Sequence, residues 1–196
     1  MNREPRTDRG QVSIRPTREE DAAAFRELRL EALRGHPEAF GADYAEALAR
    51  PIEFWQERVR SGAGNDRGVT YVAEAGGALV AMTGLFRGDG PKMRHSATIW
   101  GVYVAPDWRG LGIADALIEA CIGRAGQLGL RLVKLNVVTT NAAAIRCYVR
   151  CGFRVFGVEP EVIFCDGTYY DELLMVRRIE NPGDFGGING KDGGLP

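Results

Sequence analysis

The sequence predicts a single α/β (α+β) domain built on one mixed sheet, and three observations lead there. Short runs of β-branched and aromatic residues alternate with amphipathic helical stripes along the chain. Two such runs, HSATIWGVYV (residues 95–104) and RLVKLNVV (131–138), flank one helical stretch, and that order makes neighbouring strands parallel. Two other pairs of runs meet at two-residue turns that suit antiparallel hairpins. The expected sheet is therefore mostly antiparallel, with one parallel pair and helices on both faces.

Each element has its own signal. The first strand is QVSIRP (11–16), where Val12 and Ile14 alternate with polar neighbours. Thr17 stands as an N-cap, with Glu20 at capping-box spacing. Phe25, Leu28, Ala32 and Leu33 recur at helical intervals, and Gly35 closes that helix. A second helical stretch covers residues 42–49. A third starts at Pro51, suited to a first turn, and carries Ile52, Trp55 and Val59 on one face. SGAGNDRG (61–68) is a loop by composition.

VTYVAEA and ALVAMTGLFR, joined by Gly76-Gly77, form a hairpin. Gly101 interrupts the strand that follows, which marks a bulge or the close approach of a backbone or ligand. The next helix carries Ala114, Leu117, Ile118, Cys121, Ala125 and Leu128, and ends at Gly129. Asn141 caps the last helix and Gly152 follows it as C′. A long hairpin about Asp166-Gly167 ends the domain.

A chain of 196 residues with 45% apolar and 26% charged residues supports a core without staples. The working domain is 11–180. Residues 1–10 are polar, and the Gly/Pro/Asp-rich tail 181–196 buries too little to order itself, so both ends are expected to be disordered. A formal charge of −1 gives no basic footprint for nucleic acid or membrane. There is no secretory signal and no long apolar run, so a cytoplasmic location is expected. Of the four cysteines, Cys147 and Cys151 share a helix face. No second Cys/His pair stands at ligand spacing, so buried thiols are expected rather than a metal.

Two motifs carry chemistry. VAPDWRGLGIA (104–114) joins a strand to a helix, where backbone N–H groups and the helix dipole make an anion site. A plain tight turn explains RGLGIA equally well by itself, and neither the dinucleotide nor the P-loop spacing is present. The second is Asn141, Ala144 and Tyr148 on one helix face. Tyr148 reads as a packed aromatic or as a proton donor. Both motifs open helices that follow the two parallel strands, where ligands of open α/β sheets bind.

Together, V-x-P-x-W-R-G-L-G-I-A and N-x-x-A-x-x-x-Y-x-x-x-G-F resemble the GNAT N-acetyltransferase superfamily, over 95–153 in motif and 11–180 in element order. The resemblance implies an acyltransferase that uses acetyl-CoA as co-substrate, with no metal. Such an enzyme would acetylate a primary amine of a small molecule or peptide by direct attack in a ternary complex. The main chain of Val102, Tyr103 and Val104 would bond the pantetheine amides. The amides of Arg109, Gly110, Leu111, Gly112, Ile113 and Ala114 would cradle the pyrophosphate. Asn141, with Ala144, would hold the thioester arm, and Tyr148 would protonate the departing thiolate.

Many relatives carry a Glu in the strand that reads HSATIWGVYV here, and this strand has no acid. His95 is then the nearest candidate base, with Glu74, Glu159 and Glu161 behind it. Asp107 stands where the family prefers Gln or Arg. His36, Phe40, Trp55, Glu159 and Tyr169 are candidates for acceptor selection. The reading leaves room for a homodimer. Its alternatives are a silent CoA-binding sensor, an acetyltransferase of protein N-termini or side chains, and an interaction module whose tail binds a partner.

Overall fold

Eight strands lie in the order β1-β2-β3-β4-β5-β6-β8-β7 in a computed structural model that describes residues 6–7 and 10–179. They are β1 (Arg6–Thr7), β2 (Gly10–Pro16), β3 (Gly68–Ala75), β4 (Ala78–Arg87), β5 (Ser96–Val104), β6 (Leu132–Val138), β7 (Arg154–Cys165) and β8 (Thr168–Arg178). Five helices accompany them: α1 (Ala22–Gly35), α2 (Tyr44–Ala49), α3 (Ile52–Ser61), α4 (Ile113–Gln127) and α5 (Ala142–Arg150). Of the two ends expected to lack order, 181–196 and most of 1–10 lie outside the described residues. Arg6 and Thr7 pair with Gln11 and Gly10.

Both hairpins form where the turn residues demand them. Gly76 and Gly77 have φ of 57° and 82°, and Asp166 and Gly167 have φ of 48° and 79°. Two consecutive positive φ values are what a type I′ turn requires. The β5–β6 pair is parallel, and every other neighbouring pair is antiparallel.

Alternation along β3 divides the core between two faces. Val72 packs with Phe25, Leu28, Trp55 and Val59 of α1 and α3, whereas Ala73 and Ala75 pack with Ile113 and Leu117 of α4. Ile118 and Cys121 of α4 also meet Cys147 and Tyr148 of α5. Helices thus cover both faces, α1 and α3 on one side and α4 on the other.

Two local expectations are corrected. Thr17 is buried and its hydroxyl donates to Val59 O at 2.8 Å. The Asp21 carboxylate instead accepts the Arg18 N–H at 2.7 Å, so no Thr17–Glu20 box forms. Ile52 is 41% exposed although Trp55 and Val59 are buried, so the buried stripe of α3 begins at Trp55.

The parallel pairing that positions the site is short. Its register runs from Ser96↔Leu132 to Thr98↔Lys134 and then stops. The carboxyl ends of β5 and β6 splay apart beyond it.

Candidate active site

The splay opens a cleft of about 850 Å³, walled by residues 99–104 of β5 and 135–138 of β6. The bulge that sets the shape of the β5 wall is visible in the register. Met82 pairs with Tyr103 and Gly84 with Trp100, so an extra residue of β5 is accommodated opposite Thr83. Gly101 sits in it with φ of 64°, and the Thr83 hydroxyl donates to Trp100 O at 3.2 Å. A bulge interrupts ladder bonding and re-aims side chains, which leaves main chain here for a ligand to use.

The turn into α4 closes one end of the cleft. Gly110 and Gly112 have φ of 78° and 76°, a left-handed conformation that disfavours any residue with a Cβ. A Cβ at either position would meet nothing within 4 Å, so both glycines face open space. The first helical bond here is Ala116 N–H to Gly112 O, at 3.0 Å. The amides ahead of it lie at the positive end of a fifteen-residue helix dipole. Donors and space of this kind suit an anion such as a pyrophosphate.

Asn141 caps α5, its Oδ1 accepting the Ala144 N–H at 3.1 Å. This fixes the first turn of α5 beside β6 and places Asn141, Ala144 and Tyr148 along the same cleft. Tyr148 is 6% exposed and packs edge-on to Phe153, with ring centroids 6.3 Å apart. Burial above all, then the neighbouring Cys147 and Cys151, pushes its phenol well up, so it stays protonated.

Of the residues expected to hold a cofactor, Val102, Tyr103, Val104, Arg109, Gly110, Gly112, Ile113, Ala114, Asn141, Ala144 and Tyr148 all line this cleft. Leu111 does not line it, and packs toward the Ala73–Ile113 core. His95 is not brought to the cleft either. It is an exposed turn residue before β5, at the far end of the strand, and its carbonyl accepts the Arg131 N–H at 2.8 Å.

Glu74 is bound to Arg15 Nε at 2.6 Å, and Glu159 and Glu161 are exposed on β7. Among the acceptor-selection candidates, His36 and Phe40 reach the cleft. Trp55 is buried between α1 and α3, and Tyr169 stacks on Phe164 at 4.6 Å in the last hairpin.

The structure also brings in residues that the sequence reading missed. Glu38 lines the cleft beside His36, whose Nε2 lies 2.9 Å from Arg109 Nη2 and whose Nδ1 lies 3.7 Å from Glu38. Arg109 also donates to Val104 O at 3.0 Å, tying the cradle to the β5 wall. Asp115 joins Cys147 and Cys151, one ligand atom of each lying within 4.8 Å of the others. Its carboxylate is engaged by Arg150 in a two-pronged pair at 2.9 Å. Asp115 is distant in sequence from α5, so no spacing rule pointed to it.

Comparison with known proteins gives concordant matches. Residues 22–153 match the model of the Acetyltransferase (GNAT) family. The L-amino acid N-acetyltransferase AaaT of Escherichia coli K12 is 27% identical over 171 residues, 85% of this chain and 98% of that protein. Phosphinothricin N-acetyltransferase of Alcaligenes faecalis is 30% identical over 177 residues, 88% of this chain and 84% of its own. An uncharacterised N-acetyltransferase of Methanocaldococcus jannaschii is 41% identical over 86 residues, 44% of this chain, but these span 34% of that relative. In fold, the chain superimposes on Salmonella typhimurium yncA, solved with its cofactor acetyl-CoA. The TM-score is 0.76 at 22% identity, covering 87% of this chain and 95% of that one.

Proposed function

This chain belongs to the acetyltransferase (GNAT) family and is an N-acetyltransferase, and from that premise we propose that it acetylates a primary amine by direct attack in a ternary complex. The observation that carries the reading is the cleft itself: a splayed parallel pair, a bulged strand and a glycine cradle at a helix N-terminus converge on one space.

Acetyl-CoA, as co-substrate, supplies the acetyl group as a thioester. The amides of Gly110, Gly112, Ile113 and Ala114 hold its pyrophosphate, the Arg109 amide being already given to Pro106 O at 3.3 Å, and the main chain of Val102, Tyr103 and Val104 bonds the pantetheine arm as an added strand would. Asn141 and Ala144 form the opposite wall. Holding amine and acyl donor side by side supplies much of the acceleration through orientation. Tyr148 remains protonated and donates to the departing sulfur. A thiol's ordinary pKa is about 8.5, so the donor's help is moderate. With His95 at the far end of β5, the titratable groups of the cleft lining that can take the amine's proton are His36 and Glu38, and Asp115, whose carboxylate is held by Arg150.

The relatives named for L-amino acids and for phosphinothricin favour a small-molecule acceptor over a protein. Release of free CoA thiol over a panel of amines tests the reading. Acetyl-CoA-dependent release with at least one amine is expected, whereas tight binding without turnover on any amine would leave a sensor instead.

A further inference from the structure

Two arginines, Arg29 and Arg58, stand behind residues of the cleft wall, outside its lining, without an anion. Arg29, on α1, is 9% exposed, and its Nη1 is a buried nitrogen with no hydrogen-bond partner among the described residues. Arg58, on α3, is half-buried, close enough to Arg29 for the two charges to oppose each other. Neither guanidinium forms a salt bridge with any described residue. Each rests on an aromatic ring instead: Arg29 lies 4.7 Å from the centroid of Phe40, and Arg58 lies 4.4 Å from that of Trp100.

Both rings and Gly101 line the cleft. A Cβ at Gly101 would stand 3.5 Å from Arg29 Nη1, so the orphaned donor lies at contact distance from this cleft residue.

Aromatic faces soften the burial of a cation, but they offer no lone pair to an N–H pointing away from them. Two adjacent, desolvated cations without a counter-ion are costly, and burial, then Arg58, holds Arg29 down at about 10. A guanidinium fork matches a carboxylate in shape and in hydrogen bonds. We infer that the acceptor amine carries a carboxylate, and that Arg29 and Arg58 bind it behind Phe40, Trp100 and Gly101. The inference rests on the acetyl-transfer reading for the fate of the amine, but not for the anion site.

The test compares α-amino acids with their α-carboxamides, which keep size and amine and lose the charge. With the full chain and acetyl-CoA, the acids are expected to show kcat/KM at least tenfold above the amides. Arg29→Met and Arg58→Met should raise KM for the acids tenfold or more, move kcat less, and leave acetyl-CoA affinity unchanged.

Thermal melting with the same compounds, in the presence of desulfo-CoA, reads anion binding without turnover. Protection by acids, absent with amides and lost in the variants, supports the site even if no amine is acetylated, in which case the transfer reading alone fails. If Arg29→Met does not fold, the less buried Arg58→Met and the charge-keeping Arg29→Lys carry the comparison. Equal kinetics and equal protection for acids and amides would overturn the inference, as would a preference for acids that both variants retain.

Discussion

The indole of Trp100 lies across Gly84 on the neighbouring strand: a Cβ at Gly84 would come within 2.1 Å of Trp100 Cε2. Trp100 is a wall of the cleft and the platform on which Arg58 rests, so a missing methyl on β4 sets the shape of the site on β5. Gly84→Ala is expected to push the indole out and cost about 2 kcal/mol, in the range of other overpacked cores. Urea denaturation checks this: the midpoint should fall with the slope unchanged.

Tyr148→Phe is expected to lower kcat by roughly ten- to a hundredfold, in line with loss of one moderate acid, while acetyl-CoA affinity is retained. The pH dependence has a definite sign. Burial, then Cys147 and Cys151, raises the phenol above its ordinary value of about 10, so the donating form persists as pH rises. Deprotonation of Tyr148 should therefore give the wild-type kcat no falling limb below about pH 10. Unchanged turnover in Tyr148→Phe would remove the residue from the mechanism.

The elements of the fold were legible because each carries a local signal. Gly76-Gly77 and Asp166-Gly167 announce I′ turns, the stripe from Phe25 to Leu33 announces a helix, and the strand–helix–strand order makes β5 and β6 parallel. The cradle at Gly110 and Gly112 and the Asn141 cap were legible for the same reason. What escaped was tertiary. His95 stands in the turn just before β5, at the end away from the cleft, and the strand's sequence alone does not say which end meets a ligand. Arg29 looked like an ordinary helix arginine beside Leu28 and Leu30, and its want of an anion appears only when α1 packs on α3. Thr17 mimicked a cap because its spacing to Glu20 is right, yet its hydroxyl is taken by Val59 O from α3.

Asp21 anchors the start of α1 to β2 through Arg15, with contacts of 2.7 and 2.8 Å. Burial alone would raise its carboxyl, but the hydrogen bonds from Arg15 and the Arg18 amide outweigh burial and hold it below the usual carboxylate range. A carboxyl depressed in the folded state adds stability above its unfolded pKa of about 3.9, and that stability is lost as pH falls through the lower folded value. Asp21→Asn is expected to cost about 2 kcal/mol near neutrality. The gap to wild type should close below about pH 4 in melts taken across pH.

Glu38→Gln and His36→Ala test the route of the amine's proton. Each should reduce kcat/KM at neutral pH about tenfold or more, with a smaller deficit at high pH where the free amine is already deprotonated. Identical profiles in both variants and wild type would send the proton elsewhere.

Calorimetric titration with acetyl-CoA, beside desulfo-CoA and ATP, tests the cleft most directly. The account predicts micromolar binding of acetyl-CoA that Gly112→Val weakens at least tenfold, since a side chain there both strains a φ of 76° and fills the open cradle. Failure of every CoA species to bind the folded wild-type chain would contradict it, and RGLGIA would then be only a turn.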